Sequence, residues 1–548
     1  MASPVLRYGG STIWRTDLRV DYAHLRDRSL YEGINCPAPA VYGAPRGTCL
    51  LYLNSGQPVD SRMNYRSGSF GNSSKYDMAE VALTNSLDLG AFTLTSVSSY
   101  FDHDFTGIDD LAPLPVPGIG GTASRTPRYN QENAERISQE LRLASSDDRP
   151  FQYMLGAYYA HEKVESDYYV GTYFAPFGAF AGAGYTAATP IATYVKFNQK
   201  TDTWSAFGSL TAELISNLSL DLGLRYTEVS KTVDRDSSVG VGGSIPQPGA
   251  FTPLLDPALS VMREVLGIPG GNYAVPRLDN SKLLPSAKLS YRFSSDIMGY
   301  ASYSKGFKAG GFAASEGKYS FGPETVDAFE VGLKATLFDR RLFTSIALFR
   351  SDYKDLQEAT NTVNSSGTII SVITNAARSR SQGVEFAVNA KVSDALSIRA
   401  EIAYLDAKYR AYPNGACTIL DNITPGCIQN MSGKRRGFSP ELSGNFGLTY
   451  TIPLDKLELK FEPLVYFTSR YFQSATADAL LSQPGYSKVD FRASLATIDE
   501  KWELAVIGKN LTDKKTSAFR NQFAGAPGTF WVYPERPRSV AVQASLRF

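Results

Sequence analysis

The sequence predicts an all-β fold, a transmembrane antiparallel β-barrel that runs through residues 1–548 as one domain. Three observations predict it. Apolar and polar side chains alternate with period two in one segment after another, so each segment has one greasy face and one polar face. The connections between these segments are short and long in strict alternation along the whole chain. Tyr and Phe are abundant (32 and 30), yet no stretch reaches the roughly 20 apolar residues that a membrane helix needs. Such a sheet is satisfied when its apolar face meets acyl chains and its charged face lines a wet or plugged interior.

The alternation is clearest near the end of the chain. Val540, Val542, Ala544, Leu546 and Phe548 alternate with Ala541, Gln543, Ser545 and Arg547, and nothing follows that could cover the apolar set. Taken in order, the first strand-like segment is 13–25, followed by a long polar excursion to about Ser74. Segments 77–87 and 91–105 flank Asp88-Leu89-Gly90, and 135–144 and 151–163 flank the turn at 145–150. Segments 204–214 and 218–230 flank Ile215-Ser216-Asn217. The longest loop, from about Lys231 to Ser281, holds Leu259, Met262 and Leu266 at helical spacing. Five further hairpins follow: 283–293 with 298–308, 325–337 with 342–356, 383–392 with 396–409, 442–452 with 457–472, and 486–495 with 502–509. The last strand is 539–548. Short turns carry Asp, Ser, Asn, Gly or Pro, as hairpin geometry requires. The pattern predicts about eighteen strands, with short turns on the periplasmic side and long loops outside.

Within the strands, Leu218, Leu220, Leu222 and Leu224 should face lipid, and Arg225, Lys334 and Arg399 should face the lumen. A charge on the lipid face at mid-depth would cost about 2–4 kcal/mol. A net charge of +1 gives no basis for a nucleic-acid partner. The four cysteines fall as close pairs in loops, Cys36 with Cys49 and Cys417 with Cys427. Two loop disulfides in an oxidising compartment are the simplest account, and a metal site is the weaker alternative.

No catalytic set emerges. His24, His103 and His161 are far apart and sit near predicted strand ends, and the acidic groups Asp147-Asp148 and Asp499-Glu500 read as solvated turns. No cofactor or metal is called for. Recognition of a small molecule belongs to the long loops and upper lumen. Tyr173, Phe174, Tyr185, Phe307 and Trp531 supply aromatic surface there, and Lys305, Lys308, Arg378, Arg435 and Arg520 supply charge. Cations beside aromatic rings suit an anionic, catechol-like chelate, by charge and stacking. The bland reading of the same residues is an aromatic girdle and contacts to lipopolysaccharide phosphates.

Several runs also resemble the TonB-dependent outer-membrane receptors, closest to the siderophore-receptor type. They are Ser138-Gln-Glu-Leu-Arg-Leu143, Gly223-Leu-Arg-Tyr-Thr227, Tyr303-Ser-Lys-Gly-Phe-Lys-Ala-Gly-Gly-Phe312, Pro323-Glu-Thr-Val-Asp-Ala-Phe-Glu-Val-Gly-Leu-Lys334 and Gly508-Lys-Asn-Leu-Thr-Asp513. Phe548 looks like that family's barrel-assembly signal, which implies the barrel-assembly machinery as a partner. The resemblance implies a bacterial outer-membrane location, surrounded by lipid and lipopolysaccharide. It also implies a 22-stranded barrel around an N-terminal plug, with uptake energised through the TonB complex. Nothing before Ile13 reads as a plug, a TonB-contact segment or the first strands, so the chain reads as the C-terminal barrel portion of such a receptor. A passive porin-like channel is the alternative.

Overall fold

The alternation builds one antiparallel sheet of 20 strands in the computed structural model of the protein. Residues 5–9, 13–27, 33–35, 73–110, 127–146, 151–172, 189–242, 251–266, 275–313, 320–363, 369–421, 427–522 and 530–547 are described. The sheet runs β1 Val5–Gly9, β2 Trp14–Asp27, β3 Ser73–Asp88, β4 Phe92–Asp110, β5 Pro127–Ser145, β6 Phe151–Thr172, β7 Ile191–Ile215, β8 Leu218–Val241, β9 Arg277–Arg292 and β10 Ile297–Lys308. It continues as β11 Glu324–Leu337, β12 Leu342–Val363, β13 Ile369–Lys391, β14 Leu396–Ala411, β15 Leu442–Leu454, β16 Leu457–Thr468, β17 Tyr486–Thr497, β18 Trp502–Lys509 and β19 Ser539–Leu546. Each of these strands pairs with its neighbour in this order, and the two-residue strand Thr252–Pro253 extends the sheet beside the top of β8. Apart from that fragment and the five-residue β1, eighteen long strands remain among the described residues, the number the periodicity predicts. β1 itself corrects the expectation that no strand precedes Ile13: Val5 to Gly9 pair with Arg19 to Arg15. Five residues are too few for alternation to register.

The predicted faces hold. Across β10 to β14, one lateral row reads Ala301, Val331, Leu348, Val384 and Tyr404, each directly opposite the next. Val331 and Leu348 are each 55% exposed, although both are large and apolar. On the other face Arg225 donates to Ser205 Oγ at 2.8 Å and lies over the Tyr158 and Phe207 rings, and Lys334 lies over the Tyr300 ring. Arg399 stands opposite Asn389 and Gly447 on that same inner face. An outer belt of exposed aliphatics and an inner wall of paired charges is the inverse of a soluble core.

Turn chemistry sets the register at the short-turn end. Gly90 has φ +76°, and its N–H donates to Asp88 Oδ1 at 2.8 Å. A side chain at Gly90 would strain this left-handed backbone.

At the loop end the strands run further than their alternation suggests. β7 and β8 span 25 and 24 residues, where period-two patterning marks only 204–214 and 218–230. Above the hydrocarbon no apolar face is needed, so the pattern fades while the backbone pairing continues. The helix α1, Ala258–Leu266, packs on this extension: Met262 is buried with Ile191, Val239 and Leu254. The three histidines lie inside strands for the same reason, with His24 beside Asp77 and His161 Nδ1 2.8 Å from Asp202 Oδ1.

The two ends of the sheet come together at the mouth. Gly33–Asn35, in the first long loop, pairs with Val532 to Phe530 in the last one. Lower down, among the described residues, β19 pairs with β18 and β1 with β2.

Candidate functional site

The long loops fold inward on themselves and on each other. After β14, Gly415–Ala416 pairs with Ile428–Gln429, and Cys417 is disulfide-bonded to Cys427 across this ribbon. After β16, Tyr471–Phe472 pairs with Ser482–Gln483. After β18, Ser517–Gln522 pairs with Phe530–Pro534. The Ile419 N–H donates to Asp478 Oδ2 at 2.7 Å, Phe438 N–H to the Phe472 carbonyl at 2.7 Å, and Gln473 Nε2 to the Ser517 carbonyl at 2.8 Å. Ile419, Leu481, Phe530 and Val532 form a buried cluster between the three ribbons. With Gly33–Asn35 added, four loops make one continuous arch over the junction of the sheet's two ends. Backbone groups in such loops need partners once covered, and here buried Gln473 and Gln483 supply them for Ser517: Gln473 Nε2 donates to its carbonyl and Gln483 Oε1 accepts from its N–H.

Glu535 anchors the arch to the barrel wall. Its carboxylate accepts from Lys488 on β17 and from Thr516 Oγ1. Burial alone would raise its pKa, but the bonds from Lys488 and Thr516 outweigh that and hold the carboxyl below the usual glutamate range.

Inside the mouth, a cavity of about 330 Å3 is lined by Lys231, Lys308, Ala309, Phe321, Gln357, Ala359 and Ile373. Lys231 and Lys308 are without an ion pair among the described residues. Lys231 is half-buried on the inner face of β8, opposite Thr201 and Leu278. Gln357 is fixed there by its own bonds: its N–H to Glu324 Oε2 at 2.8 Å and its Nε2 to the Ala309 carbonyl at 2.9 Å. Two ammonium groups beside an aromatic ring can hold a carboxylate, a phenolate or a phosphate, by charge and stacking.

Deeper on the inner wall are two larger depressions. One, of about 670 Å3, is dominated by Glu330, Glu385 and Glu401, with Lys334 and Tyr300. The other, of about 620 Å3 and nearer the short turns, carries Arg340, Arg341, Lys391, Arg399, Arg492 and Lys509. Arg492 is held by Glu462 at 2.8 Å and by Glu503, and Lys509 by Asp490 at 2.8 Å.

The residues expected to meet a ligand separate into three groups. Lys308 lines the mouth cavity. Arg435 and Arg520 serve the loops: Arg435 donates to the Leu405 carbonyl and pairs with Glu441, both at 3.0 Å, and Arg520 Nε donates to Ser517 Oγ at 2.9 Å. Lys305, Phe307 and Arg378 fall on the outer sheet face, in register with Asp327, Thr325 and Lys354, so they cannot reach the cavity from their strands. That is a correction; loop end and lumen are different places, and a residue near a strand end faces one side or the other by parity. Trp531 sits in the arch strand opposite Asn521. Tyr173, Phe174, Tyr185, Cys36, Cys49 and Phe548 lie outside the described residues.

Lys231 lies one residue beyond the predicted segment 218–230, so the alternation alone does not single it out. Val233, Val239 and Val241 alternating with Asp234, Asp236 and Ser238 are the signal that the strand continues.

Residues 13–511 match the family model for the TonB-dependent receptor-like β-barrel. The chain belongs to the TonB-dependent receptor family. As a member of that family it is an outer-membrane barrel protein. The ferric-pyoverdine receptor PbuA of a Pseudomonas species is 26% identical over 258 residues, covering 46% of this chain and 29% of PbuA. The match thus spans less than a third of that receptor's length. Among solved structures, the siderophore receptor PiuA from Acinetobacter baumannii has a TM-score of 0.71 at 16% identity, with 99% of this chain and 73% of PiuA covered. The ferric yersiniabactin uptake receptor FyuA from Yersinia pestis gives 0.69 at 13%, covering 98% of this chain and 68% of FyuA. The ferric-catecholate import receptor Fiu from E. coli gives 0.67 at 15%, covering 100% and 74%. What these solved structures share with this chain is the fold.

Proposed function

We propose that this chain is the barrel of a receptor for an anionic metal chelate of the ferric-siderophore class, captured at the mouth and taken up with energy supplied through TonB. The observation that carries the reading is the Lys231–Lys308 pair: two cations that make no ion pair among the described residues, lining a cavity beside Phe321 and Gln357. A cavity of about 330 Å3 admits one arm of a chelate, so the arch and the inner wall contact the rest. PbuA is named for ferric pyoverdine, FyuA for ferric yersiniabactin, Fiu for ferric catecholate and PiuA as a siderophore receptor, which supports the ligand class. Membership of the family supports energisation through TonB.

The test is binding of ferric catecholate chelates to the protein in detergent, read by quenching of its intrinsic fluorescence. Saturable binding is expected, weakened on the order of tenfold or more by Lys231→Gln with Lys308→Gln, as loss of two charge-assisted contacts implies. Equal binding of the metal-free or an uncharged chelate would overturn the reading. So would steady ohmic conductance in a planar bilayer, which belongs to a passive porin.

A further inference from the structure

The connection from β10 to β11 begins and ends at the mouth cavity: Lys308 and Ala309 line it at one end and Phe321 at the other. Its two ends pair with each other, Gly311 opposite Phe321 and Phe312 opposite Ser320. They approach too closely for a side chain at Gly310, whose Cβ would lie 2.4 Å from the Phe321 carbonyl oxygen. A Cβ on Gly311 would lie 2.8 Å from the Phe321 ring. Phe312 ties this strap to the wall of β7 to β9, where it is buried with Phe197 and Val233 and packed on Leu278.

Side-chain amides from three strands hold the strap's ends. Asn280 Oδ1 on β9 accepts from the Gly310 N–H at 2.9 Å. Gln357 Nε2 on β12 donates to the Ala309 carbonyl at 2.9 Å and to the Gly322 carbonyl at 3.0 Å. Asn375 on β13, opposite Gln357, engages Gly322 twice: its Oδ1 accepts from the N–H at 2.7 Å and its Nδ2 donates to the carbonyl at 2.9 Å. The same Nδ2 donates to the Asp355 carbonyl at 2.9 Å, where Asp355 takes φ +55° and drops out of the β12–β13 register. An Asn side chain carries the donor and acceptor of one peptide group, so Asn375 does for Gly322 what a neighbouring strand's backbone does elsewhere.

We propose that Asn375 is a positioning residue for the mouth cavity. It is not among the residues that line the cavity; it acts by fixing Gly322, and with it the adjacent Phe321 ring. Gln357, which does line the cavity, grips both ends of the strap, so the two amides together set the spacing between the Lys308 ammonium and the Phe321 ring. That spacing selects a planar anionic group able to stack and pair at once. A strap released from Asn375 keeps both lysines and loses the placement of the ring. The proposal takes its ligand from the chelate reading; the hold on the strap is independent of it.

The experiment uses the full chain in detergent and two readouts. The first is hydrogen exchange at the Gly322 amide, by mass spectrometry with electron-transfer fragmentation. Asn375→Ala should speed it about tenfold or more, because the acceptor that protects that amide is gone. The second is binding of the ferric complex of 2,3-dihydroxybenzoate, read by fluorescence quenching. Asn375→Ala should weaken binding about tenfold, the scale of one or two hydrogen bonds, with heat-modifiable mobility unchanged. Gly310→Ala, which forces the strap's ends apart without touching Asn375, should reproduce that loss. In the Phe321→Ala background, Asn375→Ala should cost almost nothing further, since both act through one ring. Unchanged exchange at Gly322 would overturn the proposal, and so would losses that simply add in the double variant. If the unaltered protein binds no chelate, the chelate reading falls, and the Gly322 exchange rate decides whether Asn375 holds the strap.

Discussion

The N–H of Ile419 donates to the Asp478 carboxylate at 2.7 Å, joining two loops that are 59 residues apart in the chain. Asp478 Oδ1 also accepts from the Leu480 N–H at 2.8 Å, and both Asp478 and Ile419 are buried. Asp478→Ala leaves two covered N–H groups without partners, at about 1–3 kcal/mol each. We expect limited proteolysis to cut within 411–441 and 471–483 faster, with the barrel's heat-modifiable mobility unchanged. Cleavage at the wild-type rate would mean the arch does not depend on this bond.

The two faces of β11 make opposite predictions for neighbouring positions. Val331→Arg places a charge on the outer belt and should lower barrel stability by about 2–4 kcal/mol. Lys334→Gln, on the inner wall over Tyr300, removes a cation–π contact worth under about 1 kcal/mol. Urea unfolding in lipid vesicles measures both. Equal effects would contradict the assigned faces.

Glu535 makes the arch sensitive to acid. Its folded carboxyl sits below the ordinary value of 4.5 because Lys488 and Thr516 bond the charged form. Its stabilisation is therefore complete above 4.5, and is lost as pH falls through the lower folded value. Glu535→Gln should remove that part of the pH dependence while leaving neutral-pH proteolysis of 516–535 faster than wild type. A wild-type acid profile in the variant would show that another group controls the loosening.

Charge reversal at the mouth separates electrostatics from shape. Lys231→Glu should weaken an anionic chelate on the order of a hundredfold at low salt, and the gap from wild type should narrow as salt is added. A salt-independent loss would point to altered packing around Phe321 and Leu278 instead.

How much of this was legible in the sequence differs between membrane and mouth. Lipid enforces alternation, so Leu218 to Leu224 and Phe329 to Ala335 declared their faces and the strand count followed. Above the bilayer no solvent difference separates the two faces, so the strands from 231 to 241 and from 369 to 382 carry no clear period that sets them apart from loop. The helical spacing of Leu259 and Met262 survived because α1 has its own apolar partners. Site residues were least legible: Lys305 and Lys308 are three apart, and only the register shows that they point to opposite sides of the wall.

The hairpin of β7 and β8 is about 80 Å long at roughly 3.3 Å per residue, and the hydrocarbon layer takes up only about half of that even when crossed at a slant. Its upper half, stiffened by α1 and flanked by β6 as far as Thr172, therefore emerges from the bilayer. Asp234 and Asp236, opposite Asn198 and Lys196, stand on that emergent half, where water and not lipid receives their charge.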